Sequence, residues 1–138
     1  MATNSEVLRA VPLFAGMTDR SLERIAELAR ETNYEPGTVI VREGEPGESF
    51  VVIVSGGANV DQGGRVFKTL GAGDFLGEIA LIDGGLRIAT VTATEPLAAL
   101  VIDRAGFQRI MDEHPVARHD LVNALTHRLR QRAPTPLD

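Results

Sequence analysis

Phe75-Leu76-Gly77-Glu78-Ile79-Ala80-Leu81-Ile82-Asp83-Gly84-Gly85-Leu86-Arg87-Ile88-Ala89-Thr90-Val91 is the stretch on which the reading of this chain turns. It places a glycine turn and one acid before a short apolar run, then a second glycine turn, one arginine and a β-branched run. Gly77 has no Cβ, so the backbone there can come close to a ligand. The amides of Glu78, Ile79 and Ala80 can open a helical turn, and N–H groups at a helix start favour an anion. Glu78 can accept hydrogen bonds from ligand hydroxyls. Arg87 offers a planar fork of donors suited to a phosphate, and apolar neighbours would strengthen that pairing by lowering the local dielectric. By position alone, Arg87 reads first as an ordinary surface charge, and Glu78 as either a ligand acceptor or a solvated turn acid. The side chains of Ile79, Ala80, Ile88 and Ala89 are expected to pack in the core, leaving their amides for a ligand.

Taken together, Leu76-Gly77-Glu78-Ile79-Ala80-Leu81 and Leu86-Arg87-Ile88-Ala89-Thr90-Val91 resemble the phosphate-binding cassette of cyclic nucleotide-binding domains. That family includes protein kinase A regulatory subunits, cyclic nucleotide-gated channels and bacterial CRP-type regulators. Two positions depart from its pattern: the proline before the arginine is Leu86, and the following Thr, Ser or Ala is Ile88. The resemblance implies an α+β fold, a β jelly roll (double-stranded β-helix) flanked by N-terminal helices and C-terminal B and C helices. It implies a cyclic phosphate between Arg87 and the amides of Ile79, Ala80 and Ala89, with the Gly77 turn and the Ile88 backbone alongside. The ribose would meet Glu78, and the purine would lie against the barrel wall with the C-terminal helix closing over it. Ile88 lacks the hydroxyl often used for guanine, so cAMP is expected in preference to cGMP. The implied role is a regulatory sensor, not an enzyme, that repositions its C-terminal helix and acts on a protein effector. The alternative is a degenerate copy of the fold that serves as a protein-interaction module.

Outward from the cassette, the chain of 138 residues is read as one domain. Residues 1–31 form an N-terminal helical segment, 32–102 the jelly roll with the cassette at 75–91, and 103–133 the C-terminal helices. Ser5 to Ala10 reads as a short helix. Thr18 is a natural N-cap, and Leu22, Ile25, Ala26, Leu28 and Ala29 recur at helical spacing to about Glu31. From Thr32 glycine turns separate β-branched runs: Thr38–Val41, Phe50–Val54, Arg65–Phe67, Thr90–Ala93 and Leu97–Ile102. Gln62-Gly63-Gly64 is a hairpin signal. The turn Arg42–Glu48 matches a family feature and is read as structural. Asp103 caps a helix to about Glu113, and His114-Pro115 starts another whose stripe is Leu121, Val122, Leu125 and Leu129.

Composition narrows the function classes. A formal net charge of −5 disfavours a general nucleic-acid surface, and the absence of tryptophan disfavours stacking platforms for single strands. With no cysteine there is no disulfide framework or thiolate metal site. His114, His119 and His127 all lie outside the strand region, which argues against a metal-dependent cupin, and no metal is expected. No apolar run approaches the roughly 20 residues of a membrane helix. A cytoplasmic location, no membrane contact and no direct DNA binding are expected, with a homodimer through the C-terminal helix as one possible assembly.

Overall fold

The computed structural model describes residues 4–11, 14–47, 49–76, 86–116, 118–120, 122–123 and 126. Two short helices open the chain, α1 (Asn4–Arg9) and α2 (Asp19–Leu28). Thr18 caps α2 as the sequence suggests, its Oγ1 accepting from the Ser21 amide at 3.1 Å. The helix stops short of Glu31. Ala29 is already extended, with φ −93° and ψ 145°, and Arg30–Tyr34 is β1. That strand is polar and mostly exposed, and its conformation comes from pairing with a neighbour rather than from its own pattern.

Seven more strands follow: β2 (Val39–Val41), β3 (Ser49–Ser55), β4 (Ala58–Gln62), β5 (Arg65–Leu70), β6 (Phe75–Leu76), β7 (Thr90–Ala93) and β8 (Leu97–Asp103). They form two antiparallel sheets of four, ordered β1-β8-β3-β6 and β2-β7-β4-β5. Successive strands alternate between the sheets except at the β4–β5 hairpin, which gives the expected jelly roll. Gly63 and Gly64 make that hairpin, with φ of +59° and +84°. Positive φ at both central residues is the tight turn that matches strand twist.

β3 and β8 explain why their sequences read as unbroken apolar runs. Side chains alternate across a strand. Val51 and Ile53 of β3, with Leu97, Ala99 and Val101 of β8, face the second sheet in one core cluster. Phe50 and Val52, with Leu100 and Ile102, face the helices in another. Both faces are therefore buried. Leu8, Phe14, Leu22 and Ile25 cover the helical side together with Phe107 and Ile110 of α3 (Arg104–Glu113). Asp103 caps α3, its Oδ1 accepting from the Gly106 amide at 2.7 Å. Helical residues recur from Pro115 to Thr126. Of the expected stripe there, only Val122 has a described side chain, and it is exposed; Leu121, Leu125 and Leu129 lie outside the described residues. Among the described residues no helix is long and apolar enough to cross a membrane.

Candidate functional site

The cassette enters from the first sheet and leaves into the second. Its entrance is β6, paired antiparallel to β3 with Val51 opposite Leu76 and Val52 opposite Phe75. The ring of Phe75 lies 5.4 Å from that of Phe50. The exit is residues 86–89, which lead through a bend into β7, itself held between β2 and β4 at the centre of the second sheet. Gly77, Glu78, Ile79 and Ala80 lie outside the described residues. Arg87, Ile88 and Ala89 lie within them.

Burial alternates along the exit. Arg87, Ala89, Val91 and Ala93 are buried, whereas Leu86 and Ile88 are exposed. Ala89, Val91 and Ala93 belong to the core between the sheets. Arg87 thus occupies a core-side position and is only 7% exposed. The same alternation corrects the expectation that the Ile88 side chain packs: it is 56% exposed, and Leu86 is 58% exposed. With the arginine turned in, its two neighbours turn out.

The β2–β3 turn holds Arg87 by its backbone. The Arg87 amide donates to the Glu45 carbonyl at 2.8 Å, and the Gly44 amide donates to the Arg87 carbonyl at 2.9 Å. Gly44 has φ +85°, a left-handed conformation suited to glycine. The side chain is positioned from β3. Arg87 Nη2 donates to the Ser49 carbonyl at 2.8 Å and lies 3.2 Å from Ser49 Oγ. Arg104, the first residue of α3, donates to the Gly47 carbonyl and ties the same turn to that helix. Further bonds bind the β4–β5 hairpin to the exit strand. Gln62 Nε2 donates to the Ile88 carbonyl at 2.9 Å, the Gly63 amide to Glu43 Oε1 at 3.0 Å, and the Glu43 amide to Thr90 Oγ1 at 3.0 Å.

The structure therefore joins Arg87 and Ala89 on one buried side and leaves Ile88 on the other. It adds Ser49, Gly44, Glu45 and Gln62, which sequence reasoning had not attached to the site. The turn expected over Arg42–Glu48 is seen over its described residues, Arg42 to Gly47. Nothing local marks Ser49, which reaches Arg87 only through the fold. A guanidinium held almost out of water, in a rigid setting, is suited to pair with an anion of matching planar geometry. Among the described residues no group of His, Asp and Glu converges as a metal site would.

An antiparallel jelly roll backed by helices, with an arginine turned inward at the cassette exit, is the arrangement of one recognised class of domain. Residues 31–114 match the family described as the cyclic nucleotide-binding domain, and the chain belongs to that family. It is 34% identical over 108 residues to a cAMP-dependent protein kinase regulatory subunit of Colletotrichum orbiculare, covering 77% of this chain and 28% of that protein. It is 32% identical over 126 residues to a cGMP-dependent protein kinase of Drosophila melanogaster (isozyme 2 forms cD5/T2), covering 86% of this chain and 14% of that protein. The chain thus spans under a third of either relative. Its fold superimposes on the regulatory domain of Toxoplasma gondii protein kinase A co-crystallised with cAMP. That match has a TM-score of 0.74 and 27% identity, and covers 90% of this chain and 49% of the other.

Proposed function

We propose that this chain is a cyclic nucleotide sensor that binds cAMP in preference to cGMP and regulates a protein effector. The observation that carries this reading is Arg87, buried just before β7 and braced by Ser49. A guanidinium oriented in this way presents a planar fork of donors, and a cyclic phosphate offers the matching geometry of acceptors. In this reading the phosphate sits between Arg87 and the amides of Ile79, Ala80 and Ala89, at the Gly77 turn. Glu78 accepts from the ribose. Ile88 contributes its backbone, and its exposed side chain forms an apolar lip beside the base. The absence of a hydroxyl at Ile88 removes a partner for guanine and leaves adenine favoured. Both kinase relatives carry nucleotide names, cAMP in one and cGMP in the other, so the class of ligand is better supported than the base.

Exposed Leu86 and Ile88 side by side on the cassette also fit a second reading, in which the domain docks a protein without nucleotide. Titration with cAMP separates the two. One site filled to a hundred times its Kd adds about 2.7 kcal/mol of stability. The melting temperature should therefore climb with the logarithm of free cAMP, and the same rise should need a higher concentration of cGMP. An unchanged melting temperature at millimolar cAMP would leave the docking reading in its place.

A further inference from the structure

A polar cleft of about 430 Å³ lies between α2 and the start of the C-terminal helix, and its walls include Arg20, Ser21, Arg24, Glu27, Glu113 and His114. Two clasps join its sides. Ser21 is buried, and its Oγ donates to Asp120 Oδ2 at 2.9 Å. Arg24 Nε donates to His114 Nε2 at 2.6 Å. The second clasp constrains chemistry as well as position. To accept from a guanidinium, Nε2 must carry its lone pair, so the imidazole is neutral with its proton on Nδ1. Glu113 Oε2 stands 3.9 Å from the same nitrogen.

We propose that His114 is a pH-operated latch: neutral, it ties the C-terminal helix to α2 through Arg24, and protonated, it lets go. Protonation gives Nε2 a hydrogen. The bond from Arg24 is lost, two cations then face each other, and Glu113 becomes the favoured partner. Arg24 retains Glu27, its neighbour one turn along α2. Each protonation state therefore has its own partners, which is what distinguishes a switch from a simple loss of contact. The surrounding charges are mixed. Arg20 and Arg24 of α2 oppose a charged His114, while Glu23 and Glu27 of the same helix favour it. From α3, Glu113 favours it but is shared with Arg109 at 3.5 Å. On the C-terminal side, the Arg118 amide donates to the His114 carbonyl at 2.8 Å, its Nη1 reaches the Met111 carbonyl, and Asp120 is engaged by Ser21. Histidine is the side chain whose charge ordinarily changes between about pH 5 and 8, which sets the range the experiment spans.

The chain has no cysteine, so spin labels can be placed uniquely through Glu23→Cys and Val122→Cys, both exposed positions. Distances between them are measured by electron resonance on the full chain, without nucleotide, at about pH 8 and about pH 5.5, a range in which ordinary carboxylates stay ionised. His114→Gln keeps an acceptor for Arg24 but does not titrate, and it leaves His119 and His127 in place. The expected result is a several-fold rise in the long-distance population of the parent at the lower pH, with His114→Gln held short at both. A parent distribution that does not change with pH would overturn the latch. So would a pH-driven shift of equal size in His114→Gln, which would assign the effect to another group. Because no nucleotide is present, either failure leaves the cyclic nucleotide reading untouched.

Discussion

Replacing Arg87 by alanine tests the site most directly. The side chain is buried, and its Nη2 reaches the Ser49 carbonyl and hydroxyl. Two consequences follow, of different size. For ligand, removing one partner of a desolvated charge pair typically costs about 2–5 kcal/mol, which is a loss of about thirty-fold to a few thousand-fold in cAMP affinity. For the fold, the effects oppose each other. Loss of the bonds to Ser49 costs about 0.5–1.5 kcal/mol apiece, whereas removing a buried cation relieves its desolvation. Ser49 is half-buried, so water can replace part of what the arginine supplied. The backbone bonds to Gly44 and Glu45 do not depend on the side chain. Net destabilisation should therefore stay near 1 kcal/mol, a drop in Tm of roughly 3–5 °C at this size. Calorimetric titration with cAMP and thermal melts with and without ligand read the two quantities separately. Arg87→Lys should fall between, since it keeps the charge but not the planar fork. If Arg87→Ala binds cAMP like the parent while its Tm falls by 10 °C or more, the arginine is a structural brace and the phosphate lies elsewhere.

Ile88→Thr adds a hydroxyl at an exposed position, so stability should change by less than about 0.5 kcal/mol, while cGMP binding gains about 0.5–1.5 kcal/mol more than cAMP binding; equal gains for both in competition titrations would show that this side chain does not meet the base. Gly56→Ala should cost about 2–4 kcal/mol and lower Tm by about 10 °C, because φ there is +93° and a Cβ would stand 2.3 Å from the Pro96 carbonyl oxygen and 2.7 Å from Leu97 Cα. A melt within 3 °C of the parent would mean the β3–β4 turn yields far more easily than this contact implies. Hydrogen exchange across Val116 to Arg132 should slow on adding cAMP, more than in Phe50 to Val54; equal protection with and without bound cAMP would remove the lid role of the C-terminal helix and leave the site intact.

What was legible in the sequence depended on whether the cause was local. Thr18 and Asp103 were readable as caps because the capping oxygen and the amide it accepts from are three residues apart. β3 and β8 announced themselves because both of their faces are buried, which forces an unbroken apolar run. β1 did not. Arg30–Tyr34 carries no strand pattern and owes its conformation to β8, with Thr32 opposite Ala99, so the preceding helix was drawn too long. At the site, the cassette's arginine was readable and the means of holding it was not. Ser49 and the Gly44–Glu45 backbone meet Arg87 only after β2, β3 and β7 take their places in two different sheets. Ile88 was misread for a more general reason. An apolar residue is expected inside, yet much of any protein surface is apolar, and the alternation of burial from Leu86 to Ala89, with the arginine inward, outweighs that expectation.

The proposed site and the proposed latch lie at opposite ends of α3, and this geometry limits how one could influence the other. At its first residue, α3 is joined to the cassette's supporting turn through Arg104 and the Gly47 carbonyl. At its last, it meets His114, where the backbone leaves helical geometry with φ −130° and ψ 79°. Between them, Phe107 and Ile110 are buried against the core formed with α2. Withdrawing either would cost about 1.5–3 kcal/mol, so α3 is not a free lever. The His114–Pro115 junction is softer. Proline has no N–H to donate back into α3, so the helical ladder is already interrupted there. A cyclic nucleotide can shift the C-terminal helix only by its differential affinity for two positions of that helix. Rotation about His114–Pro115 with α3 fixed would realise such a shift, and it would pull on the Ser21–Asp120 bond. Ligand and proton would then act on one joint from two directions: the first by favouring a position of the helix over the barrel, the second by loosening its hold on α2.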